Sequence, residues 1–171
     1  DGVLLNDAAG GGVDLSTIAL ADVASIEIYK GTTPINFSNA SIGGVIHINT
    51  LKSKKDLQGH IGMGGGSFGT QTFSGLISQN ADQWDALLLA NYLAANNDYK
   101  IENDNGTPLN PNDDRTEKRN NADFYQANIL AKLGYDVSST NRIELVNQYF
   151  TKDQNLPEWN NSQSADTNLD T

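Results

Sequence analysis

From Leu57 onward the chain alternates apolar and polar residues with a period of two. Such alternation marks strands, because successive strand side chains point to opposite faces. The pattern is sharpest over residues 122–135, where Tyr125, Ala127, Ile129, Ala131, Leu133 and Tyr135 share one face. Phe124, Gln126, Asn128, Leu130, Lys132 and Gly134 share the other, which is mostly polar. Residues 84–95 repeat it, with Trp84, Ala86, Leu88, Ala90 and Tyr92 set against Asp85, Leu87, Leu89, Asn91 and Leu93. That second face is less polar than a water-filled interior requires. The predicted strands are 57–65, 70–78, 84–95, 122–135 and 142–151. Short turns join them at 66–69, 79–83 and 136–141, and one long polar segment intervenes at 96–121. Residues 152–171 are polar and show no period.

Residues 23–50 follow a different plan. Val23, Ile26 and Ile28 begin a β-type run that ends at Lys30-Gly31, and residues 45–50 (VIHINT) form a second. The Gly- and Pro-containing stretch between them predicts paired strands joined by a compact excursion. Gly43-Gly44 predicts a positive φ or a close backbone approach. Upstream, residues 1–6 read as a short strand and 8–13 as a Gly-rich turn. Residues 14–18 and 21–23 fit a helical turn that Asp14 could cap. The charged run 52–56 (KSKKD) reads as a solvated connector.

The stretch 23–50 resembles the end of the plug domain of TonB-dependent outer-membrane receptors, "V-x-x-I-E-V-x-R-G-P-x-x-x-x-Y-G-x-x-A-x-G-G-V-I-N-I-x-T". Val23, Ile26, Glu27, Gly31, Ala40, Gly43, Gly44, Val45, Ile46, Ile48 and Thr50 match it. The chain departs at Lys30 (Arg in the pattern), Thr32 (Pro), Phe37 (Tyr), Ser38 (Gly) and His47 (Asn). An ammonium cannot form the paired parallel bonds of a guanidinium, so an ionic lock at Lys30 should be weaker or differently partnered.

Composition narrows the classes. With 171 residues, the chain is long enough for one sizeable core. Its net charge of −10 and pI near 4.4 argue against nucleic acid as a partner. No cysteine is present, which removes disulfides, thiol chemistry and thiolate metal sites. No apolar run approaches the roughly 20 residues of a membrane helix, but barrel strands need none. Alternation alone also suits a soluble β-sandwich. Aromatic residues at the strand ends (Trp84, Tyr92, Tyr125, Tyr135) suit the headgroup level of a membrane instead. Short turns at one end and a long segment at the other suit an outer-membrane barrel, with the 66–69 turn as the exception.

The resemblance therefore implies a mainly β chain: an α+β plug half over 1–51, a connector at 52–56, and antiparallel up-and-down strands of a transmembrane β-barrel over 57–171. The barrel would be incomplete, with about five strands and a long outer loop at 96–121, as expected of a piece of a longer receptor. The implied activity is energised uptake of a scarce ligand: a ferric siderophore first, with cobalamin, haem or an oligosaccharide as other cargoes. The implied partners are TonB, a small-molecule ligand or metal chelate, and outer-membrane lipid. Glu27, Lys30, Gly31, Gly43 and Gly44 are the expected plug motif and plug–barrel contacts. No cofactor is expected, and no enzyme signature is present. The alternative is a secreted or surface β-rich binding module, adhesin- or lectin-like. Its oxygen-rich loop (Asp104, Asp113, Asp114) would be a weak calcium candidate that lacks EF-hand spacing. His47 and His60 are far apart in sequence and read as structural or surface residues. Trp159 fits either a place near a ligand entrance or local packing.

Overall fold

The computed structural model describes residues 4–6, 13, 15, 18–31, 43–157 and 168–170. A 3-10 turn, Leu20–Asp22, leads into β1 (Val23–Lys30), which pairs antiparallel with β2 (Gly44–Thr50). Then follow β3 (Gln58–Gly65), β4 (Gln71–Ala81) and β5 (Trp84–Ala95). The short strands β6 (Lys100–Asn103) and β7 (Arg115–Lys118) come next, then β8 (Phe124–Asp136), β9 (Arg142–Asn155) and β10 (Asn168–Asp170). The long strands form one antiparallel sheet in the order β10-β9-β8-β5-β4-β3, while β6 and β7 form a separate hairpin. Up-and-down connectivity is therefore as expected, with tight turns of two residues between β4 and β5 and of five between β8 and β9.

Three expectations are corrected. The segment 96–121 contains the β6–β7 hairpin, closed by Asn103 Nδ2 donating to Glu117 Oε1 at 2.6 Å and by the Lys118–Asp98 ion pair at 2.5 Å. Those polar side chains bond across the hairpin, so it needs no apolar alternation. The fifth long strand runs to Asn155 and β10 pairs with its end. Here the length of β8 decides the boundary: Phe124 lies opposite Gln154, and ladder bonds are made by backbone whatever the side chain. Leu4, Leu5 and Asn6 carry no strand. The Asp14 cap, the motif positions Phe37, Ser38 and Ala40, and Trp159 lie outside the described residues.

The sheet is apolar on its exposed face and mixed on its covered one, where Asp85, Asn128 and Lys132 stand beside the leucines Leu87, Leu89 and Leu130. On β8, Ile129 and Leu133 are 41% and 45% exposed, whereas Asn128 and Lys132 are 3% and 6% exposed. On β5, Trp84, Leu88 and Tyr92 face outward, with Asp85, Leu87 and Leu89 buried. Burying Asp85, Asn128 and Lys132 while Ile129, Leu133 and Leu88 stand exposed is unusual for a water-soluble protein. Aromatic residues bound the exposed band. Trp84 stacks on Tyr135 with centroids 4.3 Å apart at the turn end, and Tyr92 and Tyr125 lie towards the other end. Ten residue steps lead from Tyr125 to Tyr135. At about 3.4 Å each and a tilt of about 40°, they span about 26 Å along a barrel axis, near the roughly 25 Å apolar band of such barrels.

Two features fix the ends. Between β3 and β4, Phe68 adopts φ 58°, and its carbonyl accepts the Asn96 and Asn97 N–H groups at 3.0 and 3.1 Å. Its ring meets Tyr99 edge-on at 5.9 Å, so the short turn is bolted to the root of the long segment. In the N-terminal hairpin, Gly44 has φ +121°, and a Cβ there would strike the Tyr29 carbonyl oxygen. Gly44→Val should cost the hairpin about 1–3 kcal/mol from the backbone conformation alone. Hydrogen exchange would register it as lost protection of β1 and β2 amides, with β8 unaffected. Unchanged hairpin protection would contradict the close approach.

Candidate functional site

The covered face of the sheet meets the chain that precedes β1 and follows β2. The 3-10 turn, closed by the Asp22 N–H donating to the Ala19 carbonyl at 3.0 Å, carries the Asp22 side chain to that face. Asp22 is 0% exposed. Asn128 Nδ2 on β8 donates to both its carboxylate oxygens at 2.7 Å, and Gln148 Nε2 on β9 approaches Oδ2 at 3.4 Å. Burial pushes the Asp22 carboxyl above its ordinary pKa, opposed by the bonds from Asn128 and then Gln148. The Asp22 carbonyl accepts the Leu51 N–H at 2.7 Å, which ties the segment entering the hairpin to the one leaving it. Leu51 in turn packs against the buried cluster Leu87, Leu89 and Leu130, joined by Leu76. The leucines that make the inner face of β5 too apolar for a water-filled lumen are thus roofed by this segment. Beyond it, Ser53 Oγ donates to Asp85 Oδ2 at 2.9 Å, and the Lys54 carbonyl accepts the Asn80 N–H at 2.8 Å.

A charged cluster lies at the turn end of the same face. Arg142 on β9 donates to Asp136 Oδ1 at 3.0 Å and, through its other terminal nitrogen, to Asp85 on β5. To do so it crosses β8 at Gly134, where a Cβ would collide with both the guanidinium and the Asp85 carboxylate. These ion pairs stay within the sheet, whereas the Asp22 and Ser53 side-chain bonds to it join a carboxylate to a neutral amide or hydroxyl.

The expected site residues fall in separate places. Glu27 accepts from Tyr29 Oη at 2.6 Å and Asn49 Nδ2 at 3.2 Å, with His47 Nδ1 at 3.5 Å. The Tyr29 hydroxyl, then His47 and Asn49, hold its carboxyl below the usual range. Lys30 and Gly31 are exposed at the hairpin end, Gly31 with φ +87° in open space, and Gly43 lies beside Gly44. Trp84, Tyr92 and Tyr125 stand on the exposed band, and Tyr135, which donates to Gln83 Oε1 at 3.3 Å, is half-buried there. In the 96–121 segment, Asp113 accepts the Thr107 hydroxyl, Asp104 accepts the Gly106 N–H, and Asp114 is exposed. Among the described residues, no three His, Cys, Asp or Glu side chains are grouped to hold a metal ion. Sequence reasoning missed Asp22, Asn128 and Gln148. The available signal was weak: an acid in an otherwise apolar turn, LADV, and amides on the polar faces of two strands.

A family model described as TonB-dependent Receptor Plug Domain matches residues 1–45. The Rhizobactin receptor of Rhizobium meliloti (strain 1021) is 31% identical over 163 residues, 90% of this chain and 21% of the relative. The Vitamin B12 transporter BtuB of Vibrio vulnificus (strain YJ016) is 30% identical over 83 residues, 48% of this chain and 13% of the relative. The transporter of the same name from Photobacterium profundum is 24% identical over 151 residues, 87% of this chain and 23% of the relative. The chain thus spans about a fifth of the length of the relatives it matches most fully.

Proposed function

Since this chain belongs to the TonB-dependent receptors, with plug sequence leading into antiparallel strands, we propose that it serves energised uptake of a scarce ligand across the outer membrane. The observation that carries the reading is the inverted sheet. An apolar band bounded by Trp84, Tyr135, Tyr92 and Tyr125 faces out, while on the inner face Asp22 meets Asn128 and Leu51 covers Leu87, Leu89 and Leu130. A sheet of that polarity belongs in lipid, with its lumen filled by protein. TonB is the partner that displaces the plug, and Glu27 and Lys30 are charged groups available to the remainder of the wall.

For the cargo we favour a ferric siderophore, because the Rhizobactin receptor aligns over nearly the whole chain. Cobalamin is the second choice, supported by the two vitamin B12 transporters. The test uses the complete receptor in outer membranes, with labelled ferric siderophore and labelled cyanocobalamin supplied separately. TonB-dependent accumulation of the iron complex alone is the expected result. Accumulation of cobalamin alone would reverse the cargo order, and accumulation of neither would remove both.

A further inference from the structure

We propose that Asp22 is the latch by which the plug grips the barrel wall, and that its partners are neutral so that the grip can be broken and remade. This inference rests on the receptor reading and adds the residues that set how tightly the plug is held. Three observations carry it. The Asp22 carboxylate is fully buried and accepts three N–H approaches from side chains on two neighbouring strands, Asn128 on β8 and Gln148 on β9. The Asp22 carbonyl also holds Leu51, so the strand-entry and strand-exit segments are clamped at one point. Finally, Arg142 at the seam's other end is paired within the wall, with Asp85 and Asp136.

That division matters when the plug moves. Pulling a carboxylate away from a buried arginine would strand a charge in the wall, at a cost of several kcal/mol. Pulling Asp22 from two amides strands none: water entering the vacated space satisfies Asn128 and Gln148, and the carboxylate regains its hydration. The wall is also prepared for that water. Asn91 lies directly opposite Asn128 in the β5–β8 ladder, and both Asn91 Nδ2 and Asn128 Oδ1 are buried without a hydrogen-bond partner among the described residues. A donor and an acceptor thus wait beside the latch. Ser53, donating to Asp85 from the connector, is a second neutral contact of the same kind.

The test is an exchange of partners in the complete receptor, with the plug drawn out by force on its N-terminal end in single-molecule measurements. Bonds to a charged group set the scale, so Asp22→Ala and Asn128→Ala should each speed unplugging roughly 10- to 100-fold. Asn128→Asp should speed it further, because two carboxylates then face each other. The exchange Asp22→Asn with Asn128→Asp rebuilds a carboxylate–amide pair and should return the rate to within a few-fold of wild type. A merely structural role would not produce that rescue. The idea is overturned if Asp22→Ala unplugs at the wild-type rate, or if the exchange is no better than Asn128→Asp alone. Each variant is first checked for the heat-modifiable mobility of a folded barrel, and a variant that fails it is replaced by Gln148→Ala, expected to speed unplugging less. Failure of the receptor reading would look different: wild-type protein would show no TonB-dependent uptake and no discrete unplugging step.

Discussion

Ile129→Arg should cost the folded protein about 2–4 kcal/mol in a bilayer, the penalty for a cation near the midplane of a barrel's lipid face. Ile129 sits near the middle of the exposed band, opposite Ala90 on β5 and Tyr149 on β9. It is 41% exposed on the outer face, so the longer side chain can extend away from the sheet. The size of the effect therefore reports the solvent. On a water-facing sheet the same change would stay within about 0.5 kcal/mol. Denaturant titration of the receptor in lipid vesicles measures it, and a value near zero would leave the apolar band facing water. The soluble binding module would then be the better account.

The neighbouring residue should respond to the opposite change. Leu130 is 0% exposed and packs with Leu87 and Leu89 beneath Leu51. Leu130→Ala opens a cavity that lipid cannot fill, and the expected loss is about 2–5 kcal/mol. Leu133→Ala, on the exposed face at 45%, leaves a space that acyl chains fill, so its loss should be clearly smaller. Comparing the two unfolding midpoints in the same vesicles separates core from lipid face. Equal losses would mean that the two faces are not differently covered. Because Leu51 packs on the cluster that Leu130 belongs to and its N–H donates to the Asp22 carbonyl, Leu130→Ala should also loosen the latch.

What could be read from the chain was whatever depends on local period. The alternation on residues 84–95 and 122–135 revealed both faces, and the β-type run 45–50 revealed the second strand of the N-terminal hairpin, which begins one residue earlier at Gly44. Asp22 was hidden for a physical reason. Its partners lie 106 and 126 residues away, and its burial is created by a sheet that forms from the other half of the chain. In isolation an aspartate before a strand reads as a solvated turn. The β6–β7 hairpin was hidden differently, since polar side-chain bonds across it leave no apolar trace, and β10 is a strand of three residues, too short to show a period. Glu27 illustrates a third case. The motif made it legible as a residue of note, but its partners in the fold, Tyr29, His47 and Asn49, follow from the β1–β2 register.

The glycine at position 134 has a consequence for how the barrel comes together. Arg142 reaches Asp85 only by passing over Gly134, between Asp85 on one neighbour and Glu144 on the other. Slide β9 one residue along β8, and inward side chains turn outward. Slide it two, and the guanidinium passes over Lys132 or Asp136 instead of a bare backbone. The pair therefore acts as a registration pin. It engages at the tight turn between β8 and β9, where strand pairing starts with the least loop entropy, and it spans three strands at once. An error in alignment would be rejected at that end before the ladder has zipped towards the far end of the strands.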